Sequence, residues 1–527
     1  RLLSVTVPTS ARGRHSYILD LFAVDPSPLF PVLADKTLLM HNGQFDLQFL
    51  MRLGFEPGRV TDTMLLSQLL DGTRRPKGYH SLEECVRREL GLDLDKSQQQ
   101  SDWSGELSQE QFAYARADAE VLLDLHAALD FKIKAAGLDR VAGVENRSLP
   151  AVAWMSLRGV GFDTDRWQGS AAQAEIEAGR LTREMDRLAP RADQSELFTS
   201  GWNWDSPPQV QELLRRLGVE LESTEDDALA AVDHPLASLL REYRAARKGC
   251  TTYGLKWLKH VAADGRVYGG WRQIGADSGR MACRSPNLQN LPRNDACRGC
   301  VVAPPGRTLV KADYSQIELR IAARIAGEKR MLEAYHRGED LHTLTARSIL
   351  GVQEISKEHR KLAKAVNFGL LYGMGAKGFR VYARSNYGVE LSLDEAERYR
   401  RAFFDAYPGL RRWHRSMPEG ETETRTLAGR RRAGVRRFTE KLNTPVQGTG
   451  ADGLKEALAL LWERRAEVPG AFPVLAVHDE IVIECDISQA DQVAAWLKQA
   501  MLDGMAPMVE PVPVEVEVKV GRTWAGE

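Results

Sequence analysis

Two short apolar runs along the chain each lead to an acidic residue, and both have the character of β-strands. Residues 309–312 are mostly apolar and end at Asp313. Residues 474–477 and 481–483 are apolar runs on either side of Asp479. Two strand-like runs with so few residues between them predict a β-hairpin with Asp479 at its tip.

Carboxylates on neighbouring strands indicate one kind of chemistry. Asp313 and Asp479 together can hold a pair of Mg²⁺ ions, which prefer oxygen ligands. Such a pair lowers the pKa of an attacking hydroxyl and stabilises the leaving oxygen in phosphoryl transfer. Taken singly, each residue also fits an ordinary turn or cap, and the pattern alone leaves that alternative open.

A third segment predicts a helix with one functional face. Arg360, Lys364, Phe368 and Tyr372 recur every four residues, and each step turns only about 40° around an α-helix. Cations bind phosphates and aromatic rings stack on bases, so this order suits a nucleoside triphosphate lying lengthwise. A helix with core aromatics and solvated cations is the alternative.

These three segments resemble the motifs of a known family. DYSQIELR (313–320), the pattern RxxxKxxxFxxxYG (360–373) and VHDE (477–480) resemble motifs A, B and C of the family A DNA polymerases. GRMACRSPNLQNLPR (279–293), NTPVQGTGAD (443–452) and VEVKVGRTW near the carboxyl end resemble further segments of that family. The resemblance covers essentially the whole chain.

The resemblance implies a template-directed DNA polymerase that adds deoxynucleotides to a primer 3′ end. Its partners would be primer-template DNA and dNTPs, and its cofactor two Mg²⁺ ions. The implied fold is α/β and α+β multidomain, with an RNase H-like exonuclease domain before a right-hand polymerase domain. The expected divisions are exonuclease-like 1–135, connecting helices and thumb 136–270, first part of the palm 271–332, fingers 333–424, and second part of the palm 425–527.

The resemblance also implies three sets of site residues. Catalysis is implied for Asp313, Asp479, Glu480, Lys364 and Arg360, of which the two aspartates would hold the metals. Contacts to the incoming nucleotide are implied for Glu318, His342, Arg360, Lys364, Phe368 and Tyr372. Contacts to DNA are implied for Arg244, Lys248, Arg280, Asn287, Gln289, Tyr372, Gly373, Asn443, Gln447 and His478.

Some of these implied roles have a specific physical content. Glu318 would occupy the place of a ribose 2′-hydroxyl and so reject ribonucleotides. Phe368 would stack on the incoming nucleotide, and Phe instead of Tyr there implies discrimination against dideoxynucleotides. Arg280, Asn443 and Gln447 would contact the minor groove, where every correct pair presents acceptors at equivalent places.

The amino-terminal third resembles a second enzyme class. LLMHNGQFDLQFL (38–50) and YARADAEVLLDL (114–125) resemble motifs II and III of the proofreading 3′→5′ exonucleases. The resemblance implies metal ligands at Asp46 and Asp118 and a water-orienting Tyr114. Asn42 fits the motif too, and the alternative is that Asp46 and Asp118 are ordinary helix or cap residues. The first motif of that class, Asp-x-Glu, is expected upstream of residue 1, which favours a truncated product over a structural remnant and leaves the exonuclease activity open.

Composition agrees with this interpretation. With a formal net charge of −1, any basic DNA-binding surface must be local, and the arginines within 411–415, 430–432 and 436–437 are candidates, as phosphate contacts or as solvated faces. Six cysteines indicate a reducing compartment, and no apolar run approaches the roughly 20 residues that cross a membrane. We expect a cytoplasmic monomer, bacterial or phage-encoded; organellar origin, accessory replication proteins and the roles of Cys297 and Cys300 stay open.

The sequence permits two rival functions. The residues of the amino-terminal third permit a 3′→5′ exonuclease of the RNase D type, although that leaves most of the chain without a role. A non-catalytic DNA-binding scaffold is the other alternative, and the presence of Asp313, Asp479 and Lys364 argues against it. Processivity, source, temperature optimum and the use of RNA templates do not follow from the sequence.

Overall fold

The computed structural model describes residues 1–9, 13–72, 75–189, 202–230 and 232–526. Its helices are α1 (Phe30–Ala34), α2 (Gly43–Arg52), α3 (Thr63–Asp71), α4 (Leu82–Leu90), α5 (Gln109–Ala135), α6 (Asp139–Arg158), α7 (Thr164–Leu188), α8 (Pro207–Arg216), α9 (Asp226–Ala230), α10 (Pro235–Thr251), α11 (Asp295–Arg298), α12 (Ile317–Ala326), α13 (Lys329–His336), α14 (Leu341–Leu350), α15 (Lys357–Leu371), α16 (Ala376–Tyr387), α17 (Leu393–Ala406), α18 (Pro408–Arg415), α19 (Phe438–Glu463) and α20 (Ala490–Val509).

Its strands are β1 (Leu2–Pro8), β2 (Arg14–Asp20), β3 (Thr37–Met40), β4 (Arg59–Asp62), β5 (Val160–Gly161), β6 (Arg266–Val267), β7 (Gly270–Arg272), β8 (Ala282–Arg284), β9 (Arg307–Tyr314), β10 (Thr422–Arg425), β11 (Arg431–Val435), β12 (Phe472–Val477), β13 (Glu480–Asp486) and β14 (Val516–Gly521). Within the described ranges, no helix combines the length and the apolar character that crossing a membrane requires.

The amino-terminal region is an α/β unit with its own hydrophobic core. Strands β1 and β2 pair antiparallel, and β3 and β4 pair parallel. Helix α5 begins with a capping box, in which Ser108 and Gln111 satisfy each other's backbone N–H groups. Leu47 of α2 and Leu125 and Leu129 of α5 are fully buried and join the two helices in one core.

A four-stranded antiparallel sheet forms the centre of the carboxyl-terminal part. Its strand order is β12-β13-β9-β14, and β9 is an inner strand that pairs with both β13 and β14. Helices α19 and α20 pack together, and α20 also contacts β9, β13 and β14. The buried Tyr314 hydroxyl donates to the Met501 carbonyl at 2.7 Å, which fixes the end of β9 to α20. This sheet is the predicted palm.

Two helical groups flank that sheet. Helix α15 packs against α14, α16 and α17 in the segment predicted to form the fingers. Helices α7 and α10 form a long pair, and α10 also contacts α9. A separate core that includes Leu181, Leu213 and Leu240 holds this second group together, as expected for a thumb.

Candidate active site

The palm sheet brings acidic residues together across three strands. Strand register places Asp313 opposite Glu480 on one side and opposite Glu517 on the other. The tight turn between β12 and β13 contains His478, whose φ is +58°, and Asp479, whose carbonyl accepts from Tyr314 N–H at 3.2 Å. The predicted hairpin is therefore confirmed, with Asp479 at its tip beside the end of β9.

The two aspartates share a partly buried, negatively charged environment. Burial raises the pKa of Asp313, and the nearby charges of Asp479, Glu480 and Glu517 raise it further. Burial also raises the pKa of Asp479, and Glu318 adds to that shift. A cation that lies between such carboxylates stabilises their ionised forms.

The donor set fits a hard divalent cation. Glu480 is less available as a metal ligand than the two aspartates, because other groups already contact its carboxylate. The Trp524 indole N–H donates to its Oε1, and Arg298 and Lys311 lie 4.0 Å from its Oε2. Among the described residues, no group of three or more His, Cys, Asp or Glu side chains is placed to enclose a metal. Asp313 and Asp479 alone match Mg²⁺ chemistry, in which one or two carboxylates combine with substrate phosphates.

Helix α15 presents the predicted stripe to this acidic centre. The helix begins with a capping box between Ser356 and His359 and ends at Leu371, with Tyr372 as its C-cap, so the predicted spacing is helical up to the C-cap. Lys364 and Phe368 line the same cleft as Asp313 and Asp479. Arg360 lines an adjoining hollow and bonds to Asp340 at 2.8 and 3.2 Å.

His342 is a buried neutral residue next to the stripe. Burial lowers its pKa to about 4, and the charges of Arg360 and Lys364 contribute to the lowering. The Asn367 amide donates to His342 Nδ1 at 2.8 Å, and the Thr345 hydroxyl lies 3.0 Å from Asn367 Oδ1. With Nδ1 as the acceptor, the neutral ring carries its proton on Nε2 and can act as a hydrogen-bond donor.

Glu318 is fixed in the cleft by two donors. The Tyr372 hydroxyl donates to its Oε2, and Arg280 Nη2 donates to its Oε1 at 2.8 Å. Burial raises the pKa of Tyr372 well above its usual value, and the neighbouring Glu318 contributes. Gln447 of α19 lines the same cleft as Glu318 of α12 and Phe368 of α15, so these three helices meet at this site.

The remaining predicted DNA contacts surround this network. Asn443 Oδ1 is buried and finds no hydrogen-bond partner among the described residues. Gln289 donates to the Ala476 carbonyl at 3.0 Å, and the Asn287 carboxamide accepts from Gln289 N–H at 3.1 Å. Gly373 has a φ of +78°, and a Cβ there would meet the rings and methyls of neighbouring side chains.

The cleft contains residues that the sequence-based assignment missed. The cleft has a volume of about 580 Å³, and both Arg293 and Arg298 line it. The charge of Arg293 also acts to lower the pKa of Asp313 and of Asp479. Glu517 faces Asp313 across the sheet. Arg293 and Glu517 lie inside segments already singled out by resemblance, and strand alternation from Asp313 would have identified Glu517 once β14 was known to pair with β9.

The arginine clusters are only partly the exposed surfaces that were expected. Arg430 is 4% exposed and forms ion pairs with Glu145 and Asp452, so the expectation of a DNA-facing surface is wrong for this residue. Its charge lies inside the protein because two carboxylates compensate for the lost hydration. Arg436 remains exposed and pairs with Glu421.

The two predicted thumb cations differ in their surroundings. Arg244 on α10 donates to the Thr224 carbonyl and to the Thr224 hydroxyl at 3.0 Å, and burial lowers the pKa of its guanidinium. Lys248 on the same helix is exposed. Both stay predicted phosphate contacts, but only Lys248 has a solvated head group.

In the amino-terminal region, Asp46 lies beside a second acid that the sequence analysis missed. Asn42 has a φ of +60° and precedes α2, which carries Asp46. Asp62 is 1% exposed and accepts from Gly43 N–H at 2.5 Å and from Leu65 N–H at 3.0 Å. Burial and the charge of Asp62 raise the pKa of Asp46 to about 6.

The other predicted exonuclease residues lie one turn apart on α5. Lys96 donates to the two carboxylate oxygens of Asp118 at 2.7 and 2.9 Å and to the Tyr114 hydroxyl at 3.3 Å. Burial and the charge of Asp118 raise the pKa of Tyr114. Lys96, which no motif had indicated, supplies the positive charge that Asp118 faces.

Comparison with known proteins agrees with both halves of this description. A model of the 3′-5′ exonuclease family matches residues 3–134, and a model of DNA polymerase family A matches residues 172–526. DNA polymerase I of Aquifex aeolicus is 36% identical over 97% of this chain and 92% of its own length. The thermostable DNA polymerase I of Thermus aquaticus is 31% identical over 90% of the chain, which spans only 56% of that longer protein.

A solved structure is similar over the same extent. The POL domain of Pol1 from M. smegmatis, in complex with DNA primer-template and dNTP, superposes with a TM-score of 0.80 and 26% identity, covering 97% of this chain and 91% of that one. The expected fold, an exonuclease domain followed by a right-hand polymerase domain, is confirmed by these matches. The chain belongs to DNA polymerase family A and carries a 3′-5′ exonuclease domain.

Proposed function

We propose that the cleft of this DNA-directed DNA polymerase binds primer-template DNA and a dNTP, and transfers the nucleotide to the primer 3′ end by two-metal chemistry with Mg²⁺. One observation carries the proposal: Asp313 and Asp479 meet at the ends of adjacent strands, in the same cleft as Lys364 and Phe368. Cationic and aromatic side chains opposite paired carboxylates suit a triphosphate and its base.

Different side chains of the cleft have different roles in the proposed reaction. Asp313 and Asp479 would hold the ions, which when bound lower the pKa of the primer hydroxyl and stabilise the leaving oxygen. Lys364 and Arg360 neutralise the triphosphate as pyrophosphate departs, a step that depends on electrostatics more than on covalent chemistry. His342 donates from Nε2 to a phosphate oxygen, because its neutral ring retains that proton.

Sugar and base selection fall to neighbouring side chains. Glu318, restrained by Tyr372 and Arg280, occupies the space that a ribose 2′-hydroxyl needs, and Phe368 stacks on the incoming nucleotide. The proposed DNA contacts are those predicted from the sequence. Arg280, Asn443 and Gln447 contact the minor groove, assisted by Asn287 and Gln289. His478 contacts the primer terminus, Tyr372 and Gly373 lie on the template side, and Arg244 and Lys248 contact phosphates.

Primer extension tests the metal-binding pair directly. Labelled primer-template, dNTPs and Mg²⁺ should give elongation with the unmodified protein and none with Asp313→Asn or Asp479→Asn, although both variants should still bind DNA. Asp486→Asn is the matched control, because Asp486 ends the same strand β13 but is exposed and paired with Arg307. Extension by Asp313→Asn at the control's rate would overturn the proposal, and binding without any elongation by the unmodified protein would support the scaffold alternative.

We also propose that the amino-terminal domain acts on DNA 3′ ends, because residues 3–134 match the 3′-5′ exonuclease family. Asp46 and Asp118 would hold metal there, Tyr114 would orient water, and Asn42 would support α2. Shortening of a 5′-labelled strand without dNTPs, lost in Asp118→Asn, is the expected result. No shortening by the unmodified chain would leave the polymerase proposal intact and remove this one.

The unpaired cysteines support a reducing compartment. All six are free in the structure, and four of them are buried. We propose the cytoplasm as the location and a monomer as the working form.

A further inference from the structure

A buried network of four charges lies under the polymerase cleft. Glu145 on α6, Arg430 between β10 and β11, and Asp452 and Lys455 on α19 are all at most 4% exposed. Lys455 Nζ bonds to Glu145 Oε1 at 2.5 Å, Arg430 also bonds to Glu145, and Arg430 Nε donates to Asp452 Oδ1 at 2.7 Å. Two positive and two negative charges balance, so the network needs no outside counter-ion.

The network contacts the peptide between Gly279 and Arg280, in the segment before β8. Lys455 Nζ donates to the Gly279 carbonyl at 2.7 Å. Gly279 has a φ of +85°, and a Cβ at that position would lie 2.6 Å from Arg430 Cδ. The Arg280 carbonyl accepts from Gly275 N–H at 2.9 Å, which closes the turn. The peptide preceding Arg280 is therefore held between a lysine ammonium and an arginine stem.

Arg280 is the next residue and reaches the cleft. Its guanidinium donates to Glu318 and lines the same cavity as Asp313. We propose that Lys455, with Arg430, is a positioning residue that sets the place of Arg280 over the nascent base pair. The inference rests on the proposed role of Arg280 as a minor-groove contact.

Physical chemistry favours a positioning role over a purely stabilising one. Apolar residues of similar volume often replace a buried ion pair without loss of stability. A directional contact to the Gly279 carbonyl is something that an apolar side chain cannot make. Since a displacement of about 1 Å at a reacting centre can cost on the order of a hundredfold in rate, a network that fixes one backbone turn has a direct catalytic consequence.

A double-mutant cycle tests the proposal in the whole protein. Lys455→Met and Arg280→Ala should each lower kcat/KM for matched primer extension by about tenfold or more, with the loss in kcat and little change in KM for dNTP. If Lys455 acts through Arg280, the double variant should be no slower than Arg280→Ala within about twofold. Arg147→Gln is the control, because Arg147 pairs with Glu456 and Glu463 across the same α6–α19 interface without touching Gly279.

Each outcome decides the matter. Unchanged kcat/KM in Lys455→Met, or losses that multiply in the double variant, overturn the proposal. If Lys455→Met does not fold, Gly279→Ala replaces it in the cycle, because that substitution displaces the same peptide and keeps all four charges. If Arg280→Ala extends primers normally, both this inference and the role of Arg280 fail, whereas the loss of activity in Asp313→Asn still upholds the polymerase site.

Discussion

At the residue scale, the position of Glu318 leads to a prediction about sugar selection. Its carboxylate is held from both sides by Tyr372 and Arg280, so it cannot easily move aside for a 2′-hydroxyl. If Glu318 is the proposed obstruction, Glu318→Ala should raise ribonucleotide incorporation relative to deoxynucleotide by about tenfold or more. Single-nucleotide insertion of rCTP and dCTP opposite the same template base measures the ratio.

A second substitution distinguishes selection against ribonucleotides from selection against dideoxynucleotides. Phe368 packs against the core beside His342, with ring centroids 5.8 Å apart, and its expected contact is with the nucleotide sugar and base. Phe368→Tyr should increase dideoxynucleotide uptake and leave ribonucleotide rejection as it was. Equal effects of both substitutions on both analogues would contradict the assignment of Glu318 to the 2′ position.

His342 provides a pH prediction. Burial lowers its folded pKa to about 4, whereas an unfolded histidine titrates near about 6.5. Between these values the unfolded state binds a proton that the folded state does not, so folding stability falls as the pH drops, by about 3 kcal/mol in all. His342→Asn removes this contribution, and its thermal midpoint should fall less than that of the unmodified protein between pH 6.5 and 4. Parallel curves would show that His342 is not buried as a neutral ring.

Individual residues differ in how far the sequence could place them. The spacing of Arg360, Lys364 and Phe368 was sufficient to predict that they share one helix face, because a helix of fixed pitch brings every fourth residue to the same side. The burial of Arg430 was not predictable in the same way, since it depends on Glu145, which lies 285 positions away in the chain. Local pattern carries no information about so distant a partner.

At the element scale, close packing of α19 and α20 under the palm sheet leads to a stability prediction. A Cβ at Gly504 would lie 2.6 Å from the Ala457 backbone nitrogen and 3.0 Å from the Gly453 carbonyl oxygen. Both atoms belong to a helix backbone and cannot turn away. Gly504→Ala should therefore lower the free energy of unfolding by about 2 kcal/mol, measured as a drop in thermal midpoint.

The matched control uses a glycine in an open helical position. Gly169 lies within α7, and a Cβ there meets nothing within 4 Å. Gly169→Ala should raise stability by roughly 0.5–1 kcal/mol, because alanine loses less conformational freedom in a helix. If both substitutions shift the midpoint in the same direction, helix propensity and not the α19–α20 contact dominates.

Elements with strong local patterns were predicted, and long-range pairings were not. The β12–β13 hairpin and α15 follow from alternation and four-residue spacing within short segments. The pairing of β9 with β14 joins residues about 200 positions apart, for example Asp313 with Glu517. The hydrophobic pattern of each strand limits such a register, but no short turn joins these two strands to fix which residues pair.

At the scale of the whole molecule, charge is distributed unevenly. The formal net charge is −1, yet Arg280, Arg293, Arg298 and Lys364 line one cleft. The same cleft is lined by Asp313, Glu318, Asp479 and Glu480, so acids balance these cations, and attraction for DNA depends on the individual cations that face its phosphates. Affinity for primer-template should consequently fall steeply with salt, through release of counter-ions from the phosphates.

The thumb offers the sharpest test of this salt dependence. Lys248 is exposed on α10, and if it contacts a phosphate, Lys248→Ala should weaken binding for all sequences and reduce the slope of log affinity against log salt by about one. Fluorescence anisotropy of labelled primer-template across a salt series measures that slope. Lys36, exposed in the amino-terminal domain and paired with Asp35, provides the control substitution, which should leave the slope unchanged.

Arg244 should respond differently although it lies one turn away on the same helix. Its guanidinium is committed to the Thr224 carbonyl and hydroxyl, so Arg244→Ala leaves a buried carbonyl without its donor and should lower the thermal midpoint. The salt slope should change by less than in Lys248→Ala, because a guanidinium tied to the protein releases fewer counter-ions on binding. A slope reduced equally by both substitutions, with no change in midpoint, would show that Arg244 leaves Thr224 to bind a phosphate.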